Sequence, residues 1–241
     1  MLIETNAPLA SAAVEAIRSG NVPALKDLLT AHPRLATARL GNTKITRTLL
    51  HVVTDWPGHY PGGPQTVTAL VAAGADVNAQ FTGPHTETPL HWAASCDDVP
   101  VLDTLLDLGA DIEAEGAVIG GGTPIADAVA FGQWNAARRL LERGAHTTLW
   151  QAAALGRADR IAAAFAPDTQ PLAPAEITNA LWCACHGGQR EIAAHLLERG
   201  GDINWIGYDE LTPLDAAHRS GHPALVAWLR DRGGRSAEDL A

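Results

Sequence analysis

Cys183, Cys185 and His186 are the densest group of chemically capable side chains in the 241-residue chain. Cys183 and His186 lie three apart, so a helix puts them on one face. A thiol beside an imidazole is the pairing of a nucleophile with its base, and the same atoms can bind zinc. Zinc needs a third and a fourth ligand, and no Cys-x-x-Cys pair or second histidine at helical spacing supplies them. A buried, inert thiol is the commoner state of a cysteine, and Cys185, on a small-residue position, is expected in the core. No metal and no cofactor is expected.

A second constellation combines Asp55, Asp97, Asp98 and Asp127 with His51, His59, His85 and His91. A histidine paired with a carboxylate can do general acid–base work, but spacing along the chain does not fix which of these meet. Gly120-Gly121-Gly122-Thr123 lacks the lysine of a phosphate-binding loop. Catalysis or small-molecule binding therefore stands as the alternative reading, and an enzyme is not the leading one.

The elements that must position these residues recur. Thr88-Pro89-Leu90-His91 returns as Thr48-Leu49-Leu50-His51, Thr123-Pro124-Ile125-Ala126 and Thr212-Pro213-Leu214-Asp215. An aliphatic pair and a glycine corner follow most copies, as in Leu70-Val71 with Gly74-Ala75-Asp76, and Leu105-Leu106 with Gly109-Ala110-Asp111. Leu196-Leu197 leads in the same way to Gly200-Gly201-Asp202. Threonine caps a helix start, proline suits the first helical position, and glycine supplies a left-handed cap. Small pairs such as Ala93-Ala94, Ala152-Ala153 and Ala216-Ala217 let neighbouring first helices approach closely.

This pattern resembles the ankyrin repeat, with a period of about 33 residues. The resemblance covers roughly residues 8 to 235. It implies an all-α ankyrin-repeat solenoid of six to seven helix–turn–helix units with β-hairpin fingers, in one domain spanning residues 1–241. Units are expected near Ser11, Thr48, Thr88, Thr123, Thr147, Asn179 and Thr212, the outer two acting as caps. The arrangement is similar to small bacterial proteins made only of such repeats. Proteins of this kind mostly act as binding scaffolds.

The array is irregular at its second and at its fourth and fifth units. Trp56 to Pro64 is an inserted Pro/Gly-rich loop between two helices, and the finger at Gly144 to Trp150 is missing about nine residues against the usual period. Residues Gly144 to Gln151 are expected to form the weakest junction. Persistent irregular loops often carry function, though surface insertions also cost little stability.

In such a unit the first helix lines a concave groove, with positions five, eight and nine facing inward. The candidate binding residues are Asp55, Trp56, Trp92, Cys96, Asp127, Phe131 and His186, with His59 and Tyr60 on the inserted loop and Trp205 and Tyr208 on a late finger. Tryptophan and tyrosine on a concave wall are the usual anchors of recognition. The plainer reading is that Trp92 packs on its neighbour and Trp56 pins the loop. Trp150 and Trp182, placed where the motif has histidine, are expected to tie units together.

Composition fits a folded soluble protein rather than a disordered one, at 46% hydrophobic and 18% charged, and seven of the few aromatics are tryptophan. A net charge of −10 repels phosphate backbones and anionic lipid, so neither nucleic acid nor membrane is an expected partner. A protein, or else a small molecule, is the expected partner of a monomer. Met1 to Ala10 carries Glu4 and no cationic flank before an apolar run, so no secretory signal is expected, and three cysteines give no disulfide framework. The expected location is the cytoplasm.

Overall fold

The computed structural model describes residues 1–241, which divide into two compact units, Met1–Ala145 and His146–Ala241. The fold is all-α, built from helix pairs joined by fingers. In the first unit the elements run β1 (Leu2–Ile3), α1 (Pro8–Arg18), α2 (Val22–Ala31), β2 (Arg39–Gly41), β3 (Thr46–Thr48), α3 (Leu49–Val53), α4 (Gly63–Ala72), α5 (Pro89–Ser95), α6 (Val99–Asp107), α7 (Pro124–Ala130) and α8 (Trp134–Glu142). The first finger is a small sheet in which β2 pairs parallel with β1 and antiparallel with β3.

The repeated threonine and histidine do the work their spacing implies. Thr48 caps α3, and the His51 imidazole reaches back so that its Nδ1 accepts from Thr48 N at 3.3 Å and Oγ1 at 2.8 Å. With Nδ1 accepting, the ring is neutral and its Nε2–H donates to the Glu87 carbonyl of the next finger at 3.1 Å. His91 repeats the device, taking Thr88 on Nδ1 and giving Nε2–H to the Gly122 carbonyl at 3.3 Å. Each motif histidine is thus both a helix cap and a tie to the following unit.

Second helices end at left-handed glycines. After Gly74 (φ 94°) and Gly109 (φ 93°) the N–H groups of Ala75 and Ala110 return to the carbonyls of Leu70 and Leu105, at 3.0 and 2.9 Å. The finger that follows is fastened by Asn78, whose Nδ2 donates to the Gly109 carbonyl at 3.1 Å while its Oδ1 accepts from Asp111 N at 2.8 Å. Between the layers lie Leu49, Leu50, Leu90, Leu102, Leu105, Ile125 and Leu140, all fully buried. Burying each stabilises the stack by about 1.5–3 kcal/mol before chain entropy is counted.

In the second unit α9 (Leu149–Ala154) and α10 (Ala158–Ala164) are followed by α11 (Pro174–His186), α12 (Arg190–Glu198), α13 (Pro213–Arg219), α14 (Pro223–Arg230) and α15 (Ala237–Leu240). The cap of α9 is Thr148, whose N–H donates to Gln151 Oε1 at 2.7 Å, so Gln151 takes the histidine's place and Trp150 does not. The amide oxygen mimics the imidazole acceptor, which is why the register settles one residue later than Thr147. Trp182 does tie units together, donating Nε1–H to the Leu211 carbonyl at 2.9 Å. Helix α11 begins a turn earlier than its motif because Pro174 sits at the first position and Glu176 accepts from Ala173 N at 2.8 Å. Asn204 repeats Asn78, donating to the Gly233 carbonyl at 3.1 Å and accepting from Arg235 N at 2.8 Å.

Candidate functional site

The inserted loop is rigidly held. His59 N donates to Asp98 Oδ2 at 2.8 Å and His59 Nε2 donates to the Cys96 carbonyl at 2.9 Å, while Gly58 N returns to the Asp55 carbonyl at 2.8 Å. Asp98 is itself buried and caps α6 by accepting from Val101 N. Gly58 passes so close to Cys96 that a Cβ there would lie 2.8 Å from the Cys96 Cβ. Tyr60 rests under the Arg18 guanidinium, 6.0 Å from its ring centre. His59 and Tyr60 therefore anchor the loop, and what the loop displays is Trp56.

Trp56 is 80% exposed and stacks on no other ring. It stands over a groove of about 210 Å³ lined by Thr54, Asp55, Glu87, Trp92, Ser95, Cys96 and Phe131 as well. Trp92 is half-buried: its ring meets His51 edge-on at 4.9 Å and Phe81 at 5.4 Å, leaving one side to the groove. Phe131, 47% exposed, closes the far wall. The same ring packs on the motif histidine and lines the groove.

The acids separate by partner. Asp55 forms ion pairs with Arg47 at 2.7 Å and Arg18 at 3.1 Å, so its charge is matched. Asp97 accepts from Ala136 N and Asn135 Nδ2, and Asp98 serves the cap and the loop. Asp127 was expected on the groove wall but is fully buried beneath the glycine finger, where Oδ1 accepts from Ile119 N at 3.3 Å and Oδ2 has no partner. Burial, with Glu87 close by, pushes its carboxyl up to about 7.

Glu87 was not foreseen. Only 7% exposed, it lines the groove with no lysine or arginine in ion-pair reach, and burial raises its pKa against a hydrogen bond from the Trp92 side chain. Its signal in the sequence is its place just before the motif threonine, where other units have Gly122 and Leu211.

The thiols are not poised to react. Burial pushes Cys183 up to about 12, and its Sγ faces Asn179 Oδ1 at 3.7 Å; Cys185 is shifted further the same way. Cys96, raised to about 11 by burial and then by Asp98 and Asp55, is also a thiol at neutral pH. His186 is buried, with Nδ1 against Ser220 Oγ at 2.8 Å. Trp205 and Tyr208 gather on the late finger, Tyr208 edge-on to Trp205 at 6.0 Å and to Trp182 at 5.1 Å, and the Trp182 ring in turn lies 5.5 Å from that of His186. Tyr208 keeps about half its surface exposed.

Within each unit, helix pairs tied through their fingers define a repeat scaffold. The family described as ankyrin repeats (3 copies) matches residues 13–151, and a further single ankyrin repeat matches residues 178–207. The chain belongs to the ankyrin-repeat family. It is 30% identical over 180 residues, 71% of its length, to an ankyrin repeat and KH domain-containing protein of Caenorhabditis briggsae. It is 40% identical over 50 residues, 21% of its length, to the ankyrin repeat and KH domain-containing protein mask-1 of Caenorhabditis elegans. The chain spans only 7% and 2% of those two proteins. Ankyrin repeats are generally modules of protein–protein interaction. No helix is long and apolar enough to cross a membrane.

Proposed function

We propose that this chain is a monomeric, cytoplasmic binding module, one ankyrin-repeat domain over residues 1–241, that grips a protein partner through the groove beneath Trp56. The observation that carries this reading is a large ring left 80% exposed on a loop held by three hydrogen bonds, two from its backbone and one from the His59 ring. A loop held so firmly has already met its ordering cost before binding, and aromatic anchors on rigid supports dominate interface energetics. Trp205 and Tyr208 offer a second contact on the late finger. Neither nucleic acid nor a membrane surface suits the charge. Small-molecule binding or catalysis has no comparable observation behind it, since all three thiols are protonated and the acids of the groove, Glu87 apart, serve structural partners.

Affinity capture of a partner, followed by titration with wild type and with a Trp56→Ala/Trp92→Ala double variant, tests the site. Loss of about 2 kcal/mol or more, roughly thirtyfold in Kd, is expected for anchors of this kind. A double variant that folds and captures the partner at unchanged affinity would sink the proposed groove.

A further inference from the structure

We infer that the groove takes the ammonium group of a lysine side chain from the partner protein, with the lysine stem against Trp92 and Phe131 and the charge facing Glu87; this rests on the groove being the recognition site. Three observations converge. The walls are aromatic faces, Trp56, Trp92 and Phe131, and the ring quadrupole attracts an organic cation placed over it. The carboxylate there that no lysine or arginine pairs with is Glu87, with only the exposed His85 acting on it from outside the groove, whereas Asp55 is already matched by Arg18 and Arg47. A glutamate only 7% exposed and paired with no lysine or arginine is costly to keep charged in the free protein, and an incoming cation relieves that cost.

Lysine fits better than arginine. The Trp92 side chain lies against the Glu87 carboxyl in the groove lining and favours its charged form, which leaves less of that carboxyl open to the two parallel donors of a guanidinium fork. An ammonium acts as a compact point charge and is satisfied by a single oxygen with aromatic faces around it. Asp127 lies close enough for its charge and that of Glu87 to oppose each other, which makes a positive occupant more favourable still. The overall charge of −10 steers basic segments toward the chain.

The test uses the full chain labelled on its seven tryptophan indoles and observed by NMR. The probes are the pentapeptide Gly-Ser-Lys-Ser-Gly and its arginine and norleucine counterparts. Assignment comes from Trp56→Phe and Trp92→Phe. The lysine peptide is expected to shift the Trp56 and Trp92 signals with millimolar or tighter Kd, and norleucine to bind at least about tenfold more weakly. Glu87→Gln should weaken lysine binding by a similar factor; it keeps the main-chain carbonyl that His51 uses, and its unfolding midpoint verifies the fold. Phe131→Ala, at an exposed position, weakens lysine binding without a folding risk.

Norleucine binding as well as lysine, or Glu87→Gln without effect, overturns the cation and leaves an apolar recognition groove standing. Arginine binding more tightly than lysine overturns the choice of ammonium. If no peptide moves either indole, the groove fails as a recognition site and the lysine falls with it.

Discussion

Gly187→Ala is expected to destabilise the His146–Ala241 unit by about 3 kcal/mol or more, the upper end of what an inserted methyl costs a well-packed interior. Backbone preference points the other way. Gly187 ends α11 with φ −82°, a conformation alanine adopts freely, and helix propensity alone would favour alanine by about 1 kcal/mol. Sterics decide the sign. A Cβ at Gly187 would lie 2.0 Å from the Ala154 carbonyl oxygen and 2.7 Å from its carbon. Those are main-chain atoms with no rotamer to yield, so α9 and α11 must part. Gly221→Ala is the matched control. It has φ 77° and open space around it, so only left-handed strain of about 1–2 kcal/mol applies. Urea unfolding of the three proteins separates the cases. A Gly187→Ala protein as stable as wild type would show that the helices are not in the close contact described.

The second large effect is in pH. His51 and His91 are buried as neutral rings and held down to about 4, against 6.5 when exposed, chiefly by loss of hydration. Unfolding lets them take up protons, so their contribution is whole above pH 6.5 and is lost as pH falls toward 4. Asp127 opposes them. Its carboxyl is raised from 3.8 to about 7, so its contribution is whole below pH 3.8 and is lost as pH rises through 7.

Between pH 4 and 6.5 the unfolded chain thus gains two protons on the histidines and gives up one from Asp127. The net of one proton makes stability climb by about 1.4 kcal/mol per pH unit, with its maximum near neutrality. Glu87, also raised by burial, reduces that slope. Asp127→Asn removes the opposing proton, so its slope in the same window should be roughly twice that of wild type. Chemical denaturation at half-unit pH steps measures both slopes. Parallel slopes would mean that Asp127 is ionised in the fold at acid pH.

The repeat was legible because its residues act locally. Thr48 with His51, Thr88 with His91 and Thr212 with Asp215 form caps within four residues of chain, so short-range spacing carries the information. The tryptophan of the inserted loop was legible too, as a large ring in a Pro/Gly-rich segment. What was hidden depends on the next unit. Asp127 on α7 and Asp55 just past the end of α3 look alike in the sequence, yet one is roofed by a finger and the other meets Arg18 and Arg47. Glu87 escaped notice because fingers were read for turn residues, whereas its side chain turns back onto the Trp92 of the helix it precedes.

Asn78 and Asn204 fasten their fingers with the same pair of bonds at the same lengths, 3.1 Å to a carbonyl and 2.8 Å from an N–H. The seam between one unit and the next is therefore interchangeable in kind, like a thread of standard pitch. A segment copied together with its asparagine and glycine corner brings both halves of the fastening with it. Genes for such chains can gain or shed whole units by duplication and loss without inventing a new joint each time. The groove, set by the inserted loop, can stay fixed while the length around it changes.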